Sequence, residues 1–140
     1  TDNATNKTFY VFNTHFDHVG KIAREKSAEL ITEKINEIAG NFPVVLTGDF
    51  NATPADKNFY STLKKTFTDS RENSRYEPFG TTGTFNGWNF SKSDFSESVR
   101  IDYIFVNKMK VLKYSTINDK TNAGIYPSDH FPVIIHTIID

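Results

Sequence analysis

Gly48-Asp49-Phe50-Asn51 closes the apolar run Val44-Val45-Leu46, so an acid and an amide emerge together where a buried strand ends. Strand ends are where α/β proteins place their chemistry. Further along, Arg100-Ile101-Asp102-Tyr103 opens a second strand-like run and Ser128-Asp129-His130 precedes a third. Three carboxylates (Asp49, Asp102, Asp129) and one imidazole (His130) therefore stand at three strand edges. Carboxylates beside a ring that titrates near neutral pH can orient a water next to a phosphate.

The elements that must position these groups can be read from periodicity. Thr8 to His15 reads as a strand with both faces largely apolar. From Lys21 to Ala39 the apolar residues Ala23, Leu30, Ile31, Ile35 and Ile38 form a helical stripe, ended by Gly40-Asn41. Phe42 to Thr47 is a short buried strand, so strand, helix and strand make a crossover unit that should be right-handed. Thr53-Pro54 reads as the start of a short helix through Phe59, Tyr60 and Leu63, with Thr53 as N-cap. Ser70 to Ser98 is loop-rich, with Thr84-Phe85 and Trp88 as short packed pieces, and a loop of that length usually serves a site. Arg100 to Asn107, Lys110 to Ile117 and His130 to Ile139 are three β-rich runs, expected to be neighbours in one sheet.

Composition narrows the classes. The chain has 140 residues, enough for one domain with a real core, and 14% of them are aromatic. With 16 Lys+Arg against 17 Asp+Glu the net charge is −1, which gives no whole-molecule attraction to nucleic acid or acidic membranes. The absence of cysteine excludes disulfides, thiolate nucleophiles and zinc sites of the cysteine type. Mean hydropathy is −0.48 and no apolar stretch approaches the roughly 20 residues of a membrane span. Location is open on these grounds, with a secreted or periplasmic one favoured over a cytoplasmic one.

Taken together, Asn13-Thr14-His15, Gly48-Asp49-Phe50-Asn51, Arg100-Ile101-Asp102-Tyr103 and Ser128-Asp129-His130-Phe131-Pro132-Val133 resemble the endonuclease/exonuclease/phosphatase superfamily, the DNase I-like fold. Order and strand context both match, from about Phe9 to Ile138. The resemblance implies hydrolysis of a phosphate ester (of nucleic acid, lipid or a small molecule) with Mg²⁺ or Mn²⁺. It implies His130 as the catalytic histidine paired with Asp102, and Asp49 as the group that orients or deprotonates water. Asn51 would hydrogen-bond the pentacoordinate phosphorus centre, and His15 would bind a non-bridging oxygen. Asp129, with Asp49, would ligate the metal or its waters.

Domains of that superfamily are nearly twice this length, and their first half supplies an Asn and the glutamate that anchors the metal. The expectation is therefore an α+β chain forming half of a four-layer α/β/β/α sandwich: a single domain over residues 1–140 with one mixed β-sheet and helices on one face. Alone it should bind metal poorly and turn over slowly. One sheet face would be left without its partner and be covered by the missing N-terminal half or by a second copy in a homodimer.

Alternatives apply residue by residue. Asp102 could instead be an ion-pair partner of Arg100. His15, Asp17 and His18 could be read as a metal cluster, although polar residues are common at a strand-to-helix turn. Arg24 would reach a substrate phosphate or pair with Asp17 or Glu25. Thr84, Phe85, Asn86 and Trp88 would pack their loop down rather than stack on a ligand, and His136 is structural. At the level of the whole chain, the competing readings are a nucleic-acid binding module, disfavoured by the charge, and a catalytically silent interaction or structural fragment.

Overall fold

The computed structural model of the chain describes residues 1–139. Strand β1 (Tyr10–His15) leads through helix α1 (Lys21–Ala39) to strand β2 (Val44–Asp49), which lies parallel to it. Helix α2 (Lys57–Lys64) and the short strand β3 (Thr68–Asp69) follow, then strand β4 (Asp102–Asn107), antiparallel to both β2 and β3. The result is a mixed sheet of order β1-β2-β4-β3, flanked on one face by helices that share its core. Gly40, at φ 53°, ends α1 in a left-handed conformation that costs glycine little.

Alternation along the strands divides the side chains between two faces. Val44 and Leu46 of β2, with Tyr103 and Phe105 of β4, join Phe16, Phe50 and Phe59 in a core whose rings meet mostly edge to face. Gly48 lies on the same face, and a Cβ there would come within 2.1 Å of the Thr14 carbonyl oxygen, so this strand end admits only glycine. The stripe on α1 that does the packing is Ala28, Ile31, Ile35 and Ala39. Leu30 and Ile38, expected within it, are more than half exposed because the helix turns them to the flanks.

Of the three final β runs, only Asp102–Asn107 belongs to the main sheet. Strands β5 (Met109–Thr116) and β6 (Val133–Ile139) pair with each other in a separate antiparallel sheet, correcting the expectation of three neighbours. Their inward residues Val111, Val133 and Ile135 pack on Val45, Ile104 and Val106 of the main sheet. The turn at Lys108, which has φ 56°, folds β5 over the sheet face instead of continuing its edge. The face expected to lack a partner is thus covered in part. It remains open at Val11, which is 59% exposed, beside an apolar recess of about 400 Å³ lined by Phe9, Val45, Met109 and Ile138.

Helix α2 begins at Lys57, three residues later than the Thr53-Pro54 reading placed it. Residues 53 to 56 close on themselves, Asp56 N–H donating to Thr53 O (2.9 Å) and Thr53 N–H to Asp56 Oδ2 (3.3 Å). That turn takes Thr53 out of the capping position. No helix among the described residues is long and apolar enough to cross a membrane.

Candidate active site

Sheet register puts three polar residues in one row. His15 pairs with Asp49 across β1 and β2, and Asp49 pairs with Asp102 across β2 and β4. Residues directly opposite one another project from the same face, and here it is the face turned towards the second sheet. His130 reaches the row from the segment leading into β6. Its Nδ1 lies 2.9 Å from Asp102 Oδ2 and its Nε2 3.9 Å from Asp49 Oδ2, while His15 Nε2 lies 3.3 Å from that same oxygen. The four side chains form a continuous chain, and two of them, Asp49 and Asp102, line an open crevice of about 300 Å³ with Asn13, Thr47 and Phe131.

Each group is held by identifiable bonds. The Asn51 backbone N–H donates to Asp49 Oδ1 (2.9 Å), and the Asn51 amide donates to Phe16 O (2.9 Å), tying the ends of β1 and β2 together. This fixes Asn51 in a left-handed conformation, φ 49°, of a kind asparagine tolerates better than most residues. Thr84 is fully buried, and its hydroxyl oxygen accepts the N–H groups of Ile101 (3.0 Å) and Asp102 (2.9 Å) while its hydrogen serves the Asp102 carboxylate. Its carbonyl takes the Phe131 N–H (2.7 Å), so one loop residue ties Asp102 to the His130 segment. The Phe85 ring stands 5.0 Å from that of His130 and limits its tilt.

Asp49, Asn51, Asp102, His130 and His15 are therefore brought together. Asp129 lies next in chain, but it is engaged mainly through its backbone oxygen, which accepts the Asn86 and Gly87 N–H groups. Arg24 donates from Nη1 to Asp17 O (3.1 Å), within the turn that enters α1. The Asp17 carboxylate caps the N–H groups of Val19 and Gly20, which accounts for the acid in that turn. Arg100 pairs with Asp69 and not with Asp102. Sequence reasoning took Thr84 for packing, although a threonine ahead of an aromatic in a polar loop was the signal available; Asp69 it did not single out at all.

A hard divalent cation asks for oxygen donors and keeps several waters. Among the described residues, one group of three could share an ion: Asp49, Asp102 and His130, each with a ligand atom within 4.8 Å of the others. Two of the three donors are carboxylate oxygens, which suits such an ion. The imidazole nitrogen facing Asp102 is already hydrogen-bonded, so Asp49 with water is the better part of the fit, and Asp129 is not in the group.

Burial holds the Asp102 carboxyl above its ordinary value of 3.8; the bonds from Thr84 and His130 offset this only in part, and the charge of Asp49 adds to it. A folded-state value above the unfolded one favours the protonated form, so the stability it contributes is full below 3.8 and lost as pH rises through the raised value. Ionised Asp102 thus costs stability at neutral pH. In thermal melts between about pH 3.5 and 7, Asp102→Asn should gain on the wild type as pH rises. A constant difference across that range would show that burial of this charge carries no cost.

Known proteins are similar to this chain in sequence and in fold. A family profile described as Endonuclease/Exonuclease/phosphatase family matches residues 2–130. Among solved structures, a mannosyl-6-phosphatase from Bacteroides thetaiotaomicron is 34% identical with a TM-score of 0.82, covering 96% of this chain and 53% of its own. A functionally unknown conserved protein from Enterococcus faecalis is 30% identical with a TM-score of 0.82, covering 93% of this chain and 50% of its own. An endonuclease/exonuclease/phosphatase family protein from Bacteroides thetaiotaomicron is 35% identical with a TM-score of 0.79, covering 93% and 49%. The chain spans about half the length of these structures. A search of curated proteins found no match.

Proposed function

We propose, because the chain belongs to the endonuclease/exonuclease/phosphatase family, that its residues form the water-activating part of a phosphoester hydrolase site. The observation that carries this reading is the row His15, Asp49 and Asp102, with His130 held on Asp102 at 2.9 Å. Asp49 is placed to orient a water or take its proton. Asp102, accepting from Nδ1–H, fixes the His130 ring, and when the ring is protonated its Nε2–H, 3.9 Å from Asp49 Oδ2, can give a proton to a phosphoryl oxygen. Asn51 uses one amide hydrogen on Phe16 and keeps the other for a phosphoryl oxygen. His15, 71% exposed, is free to turn towards a non-bridging oxygen. A bound Mg²⁺ or Mn²⁺, held by Asp49 and waters, would supply charge neutralisation at the phosphoryl oxygens.

A small phosphate ester is the favoured substrate class. The similarity to a mannosyl-6-phosphatase supports a monoester, and a net charge of −1 disfavours long polyanions. The uncovered strip at Val11 would be closed by the remaining half of a relative-length domain or by a second copy, so turnover by this chain alone should be slow. In a silent fragment, no substitution in the row would change any rate.

The test is hydrolysis of a chromogenic phosphomonoester and a chromogenic phosphodiester, with Mg²⁺ and with a chelator, by the wild type and Asp49→Asn. The expected result is metal-dependent release, faster on the monoester and at background in the variant. Equal rates for wild type and variant would remove Asp49 from the chemistry; equal rates with chelator would remove the metal.

A further inference from the structure

The loop carrying Trp88 does something that packing does not explain. Trp88 is 51% exposed, and its ring partner, Phe90, is itself 40% exposed. Its backbone sits at φ 60°, a strained conformation for a bulky residue. Asn86, nearly fully buried, enforces it: its N–H donates to Asp129 O (2.7 Å), its amide to Ser128 O (2.8 Å), and its Oδ1 accepts the Trp88 N–H (2.9 Å). A buried amide and a strained backbone thus hold a tryptophan in the open. Strain of this kind persists where surrounding structure over-determines it, and it gathers at ligand clamps.

The position is set relative to the chemistry. The Gly87 N–H bonds Asp129 O (3.2 Å), placing Trp88 one residue from a contact with the neighbour of His130. Phe90 is seated on the buried Tyr126, whose ring meets that of Phe131, the residue after His130. The aromatic pair is therefore tied by backbone bonds and ring contacts to the segment that carries His130.

We propose that Trp88, with Phe90, is a stacking platform for a ring in the alcohol of the substrate, so that the preferred substrates are phosphate esters of ring-bearing alcohols. A sugar and a nucleoside both offer a flat face to an aromatic side chain. The proposal rests on the phosphoester reading of the neighbouring site.

Trp88 is the single tryptophan of the chain, so its emission reports on the platform whether or not turnover occurs. The experiment titrates the wild type with a hexose 6-phosphate and with a nucleoside monophosphate, and uses glycerol phosphate and inorganic phosphate as ringless probes. Calorimetry with the same four is run on the wild type, Trp88→Phe and Trp88→Gly. Glycine relieves the strain at φ 60° and is expected to fold with an unchanged or raised Tm.

The expected result is a saturable emission change with one ring-bearing ester, the arm that saturates identifying sugar or base. Trp88→Gly should weaken that ester on the order of tenfold, within the range of ring stacking, and leave inorganic phosphate unchanged. Trp88→Phe should retain most of the affinity. Ring-bearing esters that bind no better than inorganic phosphate, or bind Trp88→Gly as well as the wild type, would overturn the platform while leaving the phosphate site standing. Failure of all four probes to bind the wild type would overturn the phosphate site and the platform with it.

Discussion

Replacing His130 with alanine should lower kcat/KM for phosphate-ester hydrolysis by about a hundredfold or more, the range over which a positioned acid or base acts. The ring is held on both sides: Nδ1 by Asp102 at 2.9 Å, and its face by Phe85 at 5.0 Å between centroids. Held in that way it has one nitrogen left for a substrate, and that nitrogen faces Asp49 at 3.9 Å. Alanine removes the proton group, whereas Asp102→Ala removes only its orientation and should cost less. His130 is half-buried, outside the aromatic core, so melts and far-ultraviolet spectra of the variant should match the wild type. Steady-state assays on the chromogenic ester are the check, and a loss below about tenfold would take His130 out of the proton-transfer role.

Arg100→Met should be the most destabilising single change near the site, by about 3–5 kcal/mol, or about 10–20 °C in Tm. Arg100 is 1% exposed and Asp69 fully buried, with Nη2 at 2.6 and 2.8 Å from the two carboxylate oxygens. The guanidinium also lies 4.6 Å over the Tyr103 ring. Burial opposes its charge, and the adjacent Asp69 carboxylate more than offsets this, leaving the guanidinium firmly protonated. Methionine would fill much of the space yet leave Asp69 ionised in the interior, with only the Tyr60 hydroxyl (2.5 Å) and the Arg71 N–H (2.9 Å) to serve it. Burial first, and the bond to Asp69 second, hold the Tyr60 hydroxyl well above the usual phenol range. Adding Asp69→Asn removes the stranded charge and should recover at least half of the loss. Denaturant melts of the two variants measure this; a double variant no more stable than Arg100→Met would show that packing, not charge, is what Arg100 supplies.

The residues that end strands were legible because apolar runs stop abruptly at Gly48-Asp49 and begin after Asp102. What joins them was not, because a row across His15, Asp49 and Asp102 depends on register, which spacing along one strand does not contain. The helix α1 boundaries followed from period and from the glycine that ends it, but the buried stripe included Ala28 and Ala39, which small size hides from a count of large apolar residues. Asp69 sits in a two-residue strand with no period to read, and its partner lies 31 positions away. The two-sheet arrangement escaped for a related reason: β5 and β6 alternate as any strand does, and only the turn at Lys108 sends them across the face. Trp88 was expected to pack its loop down, and the structure leaves it exposed because Asn86 does the anchoring.

The central claim is that Asp102 and His130 act as one unit on a phosphoryl group, and a double-mutant cycle on kcat/KM tests it most directly. Groups that function as a unit are strongly non-additive. The account predicts that Asp102→Ala combined with His130→Ala is no slower than His130→Ala alone. Losses that multiply in the double variant would mean that the two side chains serve hydrolysis independently, and would contradict it.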